Sequence, residues 1–188
     1  MKYFVLISLI VCLSPSVEAG NLPDGWILAG TNPGDYMVTL DSDNAYSGNV
    51  SALLESKSES ARGFGTLMQQ SAPGLYSGKR VRMSGYVRCK DVKSWSGLWF
   101  RVDGEVDKSL SFDNMSDRPI KGSSGWKQYH IVLDVPERAT LLAYGVLLAG
   151  EGQVWVDGIS FEVVDKSVPV RKEGHALPPE PANLDFEK

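Results

Sequence analysis

The sequence lacks most of the residues on which enzymes and metal sites depend. Its 188 residues include only two cysteines and two histidines. It contains no serine-nucleophile elbow, no His-Glu-x-x-His zinc motif, no phosphate-binding loop and no dinucleotide-binding glycine motif. Its acidic residues number 23, and their positions single out no pair suited to glycoside hydrolysis. The sequence therefore predicts a protein that is not an enzyme.

The small number of cysteines excludes an internal disulfide in the predicted mature chain. Cys12 lies in the N-terminal apolar run, so Cys89 is the one thiol that remains. Cys89 ends an alternating run of apolar residues, and no histidine or helix terminus is evident beside it in the sequence. We expect Cys89 to pack in the core as a small hydrophobic residue.

Positive charge is scarce as well. Lysine and arginine total 19 against 23 acidic residues, which gives a formal net charge of -4. Nucleic-acid binders usually have a basic surface, and proteins that bind anionic lipid usually have a polybasic cluster. Neither feature is present, so we expect no nucleic-acid partner. The apolar run at residues 3–13 is too short to span a membrane.

Residues 1–19 have the features of a secretory signal peptide. Lys2 supplies a positive start, residues 3–13 form the apolar segment, and a small-residue cleavage site ends at Ala19. This pattern predicts cleavage after Ala19 and a secreted or periplasmic location. Lipid attachment at Cys12 is disfavoured, because the residue before it is a valine rather than a small residue.

Residues 20–165 show the pattern of an all-β domain. Short β-like runs, separated by Gly, Pro, Asn, Asp and Ser, occur at 36–41, 50–56, 62–70, 79–90, 97–103, 109–114, 126–135, 141–149 and 152–164. Many short strands of this kind favour a two-sheet sandwich or jelly roll. The stretch 141–148 is apolar on both sides, which predicts a central, covered strand. Residues 166–188 are rich in proline and charge, which predicts a disordered tail.

The alternation of side chains gives two of these runs a distinctive polar side. Residues 80–89 and 98–103 each place apolar residues on one side and an aromatic residue with an arginine on the other. We expect both polar sides to share one sheet face, next to the loop at 113–118. The candidate ligand-binding residues are then Tyr86, Arg88, Trp99, Arg101, Asp113 and Arg118.

Such a face has the chemistry of a carbohydrate site. Sugar rings stack their C–H faces on aromatic rings, and planar Arg and carboxylate groups bind their hydroxyls. The alternative is a solvated sheet face in which Arg101 pairs with Asp103 or Asp113 and Trp99 lies under a loop. Trp126 and Trp155, which lie in alternating or apolar runs, are expected to pack rather than bind.

Four segments also carry recognisable motifs in a fixed order. They read DNAYSGNVSAL at 43–53, KRVRMSGYV at 79–87, GWKQYHIVLDVP at 125–136 and QVWVDGISF at 153–161. Together they resemble carbohydrate-binding modules with the galactose-binding-like jelly-roll fold, which implies a two-sheet antiparallel β-sandwich. The segments 97–104 and 112–122 resemble an uncharacterised bacterial subfamily, some of whose members are fused to transcription regulators or peptidases.

The resemblance adds two expectations. Many such modules hold a structural calcium ion, and the matching positions are Asp43 and Asp157; the alternative is that both carboxylates only bond backbone. The expected function is an exported, non-catalytic module that binds carbohydrate or a similar polar small molecule. The rival hypothesis is an envelope protein-interaction domain without a small ligand, in which residues 183–187 add a strand to a partner's sheet.

Overall fold

The computed structural model describes residues 22–105 and 109–170. Within these ranges the chain forms nine strands: β1 Ile27–Gly30, β2 Tyr36–Asp41, β3 Ser51–Ser56, β4 Phe64–Ser71, β5 Lys79–Gly104, β6 Ser109–Asp113, β7 Ile120–Val135, β8 Ala139–Ala149 and β9 Gln153–Val164. Two short 3-10 turns, Pro33–Asp35 and Gly74–Tyr76, complete the secondary structure of this part. The predicted signal peptide, Cys12 and residues 183–187 lie outside the described residues.

The strands form two antiparallel sheets that share β5. The first sheet has the order β7, N-terminal half of β5, β9, β3, β2. The second has the order β1, β4, β8, C-terminal half of β5, β6. The predicted all-β sandwich is confirmed. Each predicted strand is found, but the runs at 79–90 and 97–103 are one continuous strand, and β1 was missed.

The core lies between the two sheets and follows from strand alternation. In each half of β5, every second side chain points into the core. Met83 in the first half and Phe100 in the second are examples, and each is fully buried. They belong to one cluster with Leu54 and Leu142 from other strands. Cys89, at 2% exposure, belongs to the same cluster, so its predicted structural role is confirmed.

The middle of β5 bends and carries the strand from one sheet to the other. The β5–β7 register shifts between Cys89 and Val92 and again between Val92 and Ser96. Asp91 lies at this bend with a φ of 54°, and its backbone N–H donates to Ser123 Oγ at 2.9 Å. Extra residues in a strand bend it and increase its twist. The two ends of β5 therefore contribute to opposite layers of the sandwich.

The central, covered strand predicted at 141–148 is β8. It lies between β4 and β5, with Leu142 and Val146 in the core and Leu147 on the outer side. Gly145 faces β4 so closely that an added Cβ would lie 2.1 Å from the Leu67 carbonyl oxygen. A side chain there would break the pairing of β4 with β8.

The packed part of the chain continues past the last strand. Arg80 donates to the carbonyl oxygens of Lys166 and Val168 at 2.6 and 2.7 Å, and pairs with Asp134 at 2.8 Å. The hydrogen bond from Arg80 lowers the pKa of Asp134. Val170 packs against the core cluster. The boundary of the packed domain therefore lies at or beyond Val170, and the predicted disordered tail does not begin at 166.

Candidate binding site

The predicted binding residues do not share one face, and this part of the prediction is wrong. Because β5 changes sheets at its bend, the same outward alternation points its two halves to opposite sides of the sandwich. The six residues fall into three places. Tyr86 and Arg88 lie on the outer face of the first sheet, and Trp99 and Arg101 lie on the outer face of the second. Asp113 ends β6 and pairs with Arg118 in the loop that follows.

A groove lies on the outer face of the second sheet, and we call it the second-sheet groove. Its volume is about 540 Å³. Residues from β1, β4, β8, β5 and β6 line it, together with adjoining loops. Four of the lining residues are aromatic and two are long polar side chains: Phe64, Trp95, Trp99, Phe112, Gln70 and Arg101. The groove thus brings the predicted Trp99 and Arg101 together with aromatic residues that the sequence analysis did not select.

Trp99 forms the fixed base of this groove. It is 8% exposed and packs in a small outer cluster with Met68 and Leu147. Its Nε1–H donates to Thr66 Oγ1 at 2.7 Å, and that hydroxyl donates to the Val146 carbonyl at 2.8 Å. The indole therefore extends across β8 from β5 to β4. Only a small part of the ring is left for a ligand, so the half-buried Trp95 and the exposed Phe112 offer more aromatic surface.

Arg101 is the charged residue of the groove. Its Nε and Nη2 both approach Asp103 Oδ2, at 2.9 and 2.8 Å, as the alternative interpretation of this face expected. The arginine side chain nevertheless remains 41% exposed. Phe112 stands directly opposite Arg101 on β6 and is 38% exposed. Opposite residues in antiparallel strands have adjacent side chains on one face, so a cation and an aromatic ring lie side by side.

The outer face of the first sheet has similar residues in a different arrangement. Tyr86 stacks on Tyr46 with ring centroids 3.6 Å apart, and Trp126 meets Tyr46 edge-on at 5.9 Å. Arg88 donates to Asn44 Oδ1 at 2.6 Å and lies 5.1 Å over the Trp155 ring. The two predicted ligand-binding residues here, Tyr86 and Arg88, therefore contact other side chains of the domain.

Trp155 packs as expected, beneath Arg88 on the outer side of the first sheet. It is 5% exposed, and its Nε1–H donates to Asp41 Oδ2 at 2.6 Å. This bond is the largest of the contributions that lower the pKa of Asp41, followed by a bond from Asn44. Trp126 is only half-buried, so its predicted packing is partial.

The buried Asp113 and the half-buried Arg118 form an ion pair that closes the loop after β6. Asp113 is 0% exposed and accepts from Arg118 at 3.1 and 2.6 Å and from the Met115 backbone N–H at 2.8 Å. Burial acts to lower the pKa of Arg118, but the hydrogen bonds that it donates to Asp113 and Asp117 outweigh burial and raise the pKa. A buried carboxylate with all of these bonds is placed to hold a loop rather than to meet a ligand.

The two aspartates predicted to bind calcium do not form a cation cage in the described residues. Asp157 accepts from the backbone N–H groups of Tyr46 and Ser47, both at 2.9 Å, and from Gly158 at 2.6 Å. Those donors occupy the oxygens that a cation would need. In this part of the chain no cluster of three or more His, Cys, Asp or Glu residues is suited to a metal. Calcium binding at Asp43 and Asp157 stays a prediction that the geometry does not favour.

Most of the groove was not predicted. Phe64, Thr66, Met68 and Gln70 all point into it from β4. Their spacing of two residues is a readable strand signal, but the sequence does not say that β4 lies two strands away from Trp99.

Among the described residues, no helix is long and apolar enough to cross a bilayer.

Solved structures show which class of fold this is. The xylan-binding domain CBM22-1 of Paenibacillus barcinonensis Xyn10C matches with a TM-score of 0.54 and 17% identity, over 76% of this chain and 88% of that one. TmCBM61, solved with β-1,4-galactotriose, gives 0.51 and 12% identity, over 75% and 90%. The chain has the β-sandwich fold of carbohydrate-binding modules. No model of a known protein family matches it.

Two other similarities qualify this picture. The enzymatically active domain of bacteriophage CBA120 tailspike protein 4 matches with a TM-score of 0.59 and 13% identity, over 75% of this chain and 20% of that one. In sequence, the chain is 44% identical over 168 residues to the uncharacterized HTH-type transcriptional regulator YbfP of Bacillus subtilis (strain 168). That alignment covers 87% of this chain but only 57% of the relative's length.

Proposed function

We propose that this domain is a non-catalytic binding module that holds a carbohydrate, or a similar polar small molecule, in the second-sheet groove. The observation that carries the proposal is the groove itself, where Trp95, Trp99 and Phe112 lie on the same outer face as Arg101. Aromatic rings, a planar donor and a concave surface are what recognition of a sugar chain requires.

Each side chain has a separate part in this proposal. Trp95 and Phe112 offer exposed ring surface on which the C–H faces of sugar rings stack. Arg101 donates hydrogen bonds to ring hydroxyls at the rim, and Gln70 both donates and accepts them. Trp99 is too buried to be the main platform, so its role is to fix the base of the groove through its bond to Thr66.

The length of the groove favours a chain of several sugars over a single one. Trp95 and Arg101 are six residues apart on β5, which corresponds to about 20 Å along an extended strand. Both line the groove. A ligand that touches both must therefore extend along the strand, as an oligosaccharide does.

The comparisons support the ligand class without fixing it. One similar solved structure is a xylan-binding domain and another was solved with β-1,4-galactotriose. At 17% and 12% identity these matches concern the fold, so neither sugar is transferred to this chain. The absence of Asp and Glu from the described residues that line the groove fits binding without hydrolysis.

A pair of matched tryptophan variants tests the proposal. Trp95 and Trp126 are both half-buried, but they lie on opposite outer faces. On a glycan array followed by calorimetry, Trp95→Ala should weaken binding by about tenfold or more, because stacking is lost. Trp126→Ala should bind like wild type. Equal behaviour of both variants and wild type, or binding to no glycan at all, would overturn the proposal.

The similarity to YbfP favours a second biological role for the same binding activity, the sensing of a sugar for gene regulation. A ligand-binding domain of 44% identity to a transcriptional regulator could report the presence of a sugar to another protein. Export, predicted from residues 1–19, favours a secreted or periplasmic location instead. Fractionation of cells that produce the full chain, with N-terminal sequencing of the product, decides between the two locations.

The rival hypothesis of a protein-interaction domain is separable by a truncation that respects the fold. Residues 166–170 hold Arg80 and pack on the core, so the deletion should begin after Val170. Sugar binding in the groove should survive this deletion unchanged. Loss of a partner with retention of the fold would favour the rival hypothesis.

A further inference from the structure

The second-sheet groove has an unusual charge. Among the described residues that line it, Arg101 is the one ionisable side chain; no Asp, Glu, His or Lys lines it with Arg101. Neutral sugars are commonly held by carboxylates and amides that accept from pairs of hydroxyls, since an ionised acid only accepts. Gln70 and Asn114 supply amides to the lining, but no carboxylate accompanies the guanidinium there, so the one charged group of the lining is arranged to meet negative charge.

The guanidinium retains donors for a ligand despite its ion pair. Both of its short contacts with Asp103, from Nε and Nη2, converge on the single oxygen Oδ2. Within the part of the chain that the structure describes, Nη1 makes no hydrogen bond. The side chain is 41% exposed and lines the groove, so part of the guanidinium is open to solvent. Asp103 therefore orients the guanidinium without using all of its five N–H donors.

The residue next to Arg101 supplies the apolar half of a subsite. Phe112 pairs directly with Arg101 across β5 and β6 and is 38% exposed. Opposite side chains have Cβ atoms about 5 Å apart. A sugar ring resting on Phe112 would bring a carboxylate attached to that ring within reach of Nη1. An arginine recognises a carboxylate through short, charge-assisted bonds.

We propose that the second-sheet groove selects uronic-acid oligosaccharides, with Arg101 binding the carboxylate of the sugar that stacks on Phe112. This inference rests on the proposed function, because it specifies the ligand class of the same groove. It differs from that proposal in one measurable respect: the preference for an acidic sugar over its uncharged counterpart.

The test uses wild-type protein and ligands that differ only in charge. A panel of uronic-acid oligosaccharides is titrated by calorimetry, each beside its own methyl ester. The acid should bind about tenfold to a hundredfold more tightly than the ester, the range expected for one charge-assisted hydrogen-bonded contact. Added salt should weaken binding of the acid and leave the ester unaffected, since exposed ion pairs are screened.

Matched arginine variants then locate the preference. Arg82 lies on the same strand with its own acidic partner, Glu162 at 2.8 Å, but on the first sheet. Arg101→Gln should remove the preference for the acid, Arg101→Lys should keep part of it, and Arg82→Gln should keep it in full. Circular dichroism checks that each variant is folded, and the wild-type comparison of acid with ester needs no variant.

The outcomes separate this inference from the proposed function. If acids and esters bind wild type equally, or if Arg101→Gln keeps the preference, the inference is overturned while carbohydrate binding in the groove stands. If neither acidic nor neutral oligosaccharides bind wild type, the proposed function fails and the inference fails with it. A preference that depends on Arg101 and not on Arg82 supports it.

Discussion

The two outer faces of the sandwich carry similar residues and use them differently. Each receives an aromatic residue and an arginine from β5: Tyr86 and Arg88 on the first sheet, Trp99 and Arg101 on the second. On the first sheet, Tyr86 stacks on a tyrosine and Arg88 lies over a tryptophan. On the second, Arg101 lines an open groove. An aromatic-plus-arginine pattern therefore does not by itself identify a binding face.

What distinguishes the faces is the chain that covers them. Residues 42–50 between β2 and β3 supply Asn44 and Tyr46 to the first face, and Asp157 anchors this loop through two backbone N–H groups at 2.9 Å. The second face has small residues along its groove, including Ala29, Gly30 and Ala149. A loop fills one face, and small side chains leave space on the other.

The largest expected effect on stability is at Trp155. This residue lies on the outer face of the first sheet, which the loop at 42–50 covers and which we call the covered face. This residue is 5% exposed, bonds Asp41 and lies beneath Arg88. Trp155→Ala should lower the free energy of unfolding by about 3–5 kcal/mol, as removal of a buried large aromatic does. Urea denaturation measures it. Sugar affinity of the folded fraction should not change; a loss of affinity matching that of Trp95→Ala would contradict the division between the faces.

The next effect is on the groove side, at Thr66. Thr66→Val keeps the shape but removes the oxygen that accepts from Trp99 Nε1. A buried donor left without an acceptor costs about 1–3 kcal/mol, so unfolding should become easier by that amount. Because the indole is then no longer fixed, sugar affinity should also fall. Thr66→Ser, which keeps the hydroxyl, is the control; if both variants behave alike, the hydrogen bond is unimportant.

Alternation within one strand was enough to predict the pairing of Trp99 with Arg101. They are two residues apart on the same half of β5, so the pleat puts them on one face whatever surrounds them. The same argument failed for Tyr86, because the strand bends between residues 90 and 96 and passes from the first sheet to the second. The outward side chains of its two halves therefore lie on opposite sides of the sandwich. That bend depends on pairing with β7 and on Asp91, and local periodicity does not report either.

The strands and the core were predictable for a similar reason, and the groove was not. Apolar alternation identifies inward residues such as Met83 and Phe100 without knowledge of strand order. The groove depends on neighbours: Thr66 lies near Trp99 only because β8 separates their strands. The ion pair of Asp113 with Arg118 was read as ligand chemistry, because sequence does not show that Asp113 is 0% exposed.

A smaller effect is expected at the exposed edge of the covered face. Tyr46 is 44% exposed and stacks on Tyr86. Tyr46→Ala should lower the free energy of unfolding by about 1 kcal/mol, the usual contribution of one aromatic pair. Tyr46→Phe, which keeps the ring, should restore most of it. Thermal denaturation measures both. If Tyr46→Ala instead abolished sugar binding, the first face and not the second would be the binding site.

The smallest effect appears only in acid and again concerns the covered face. Hydrogen bonds from Trp155 and Asn44 hold the pKa of Asp41 below its ordinary value. A carboxylate whose pKa is lower in the folded state contributes stability above its unfolded pKa of about 3.9, and this contribution is lost as pH falls toward the folded value. Asp41→Asn should therefore flatten the decline in the free energy of unfolding below about pH 4, measured by urea denaturation. Parallel declines for wild type and Asp41→Asn would show that this carboxylate does not hold the loop at 42–50, and that the two faces differ for another reason.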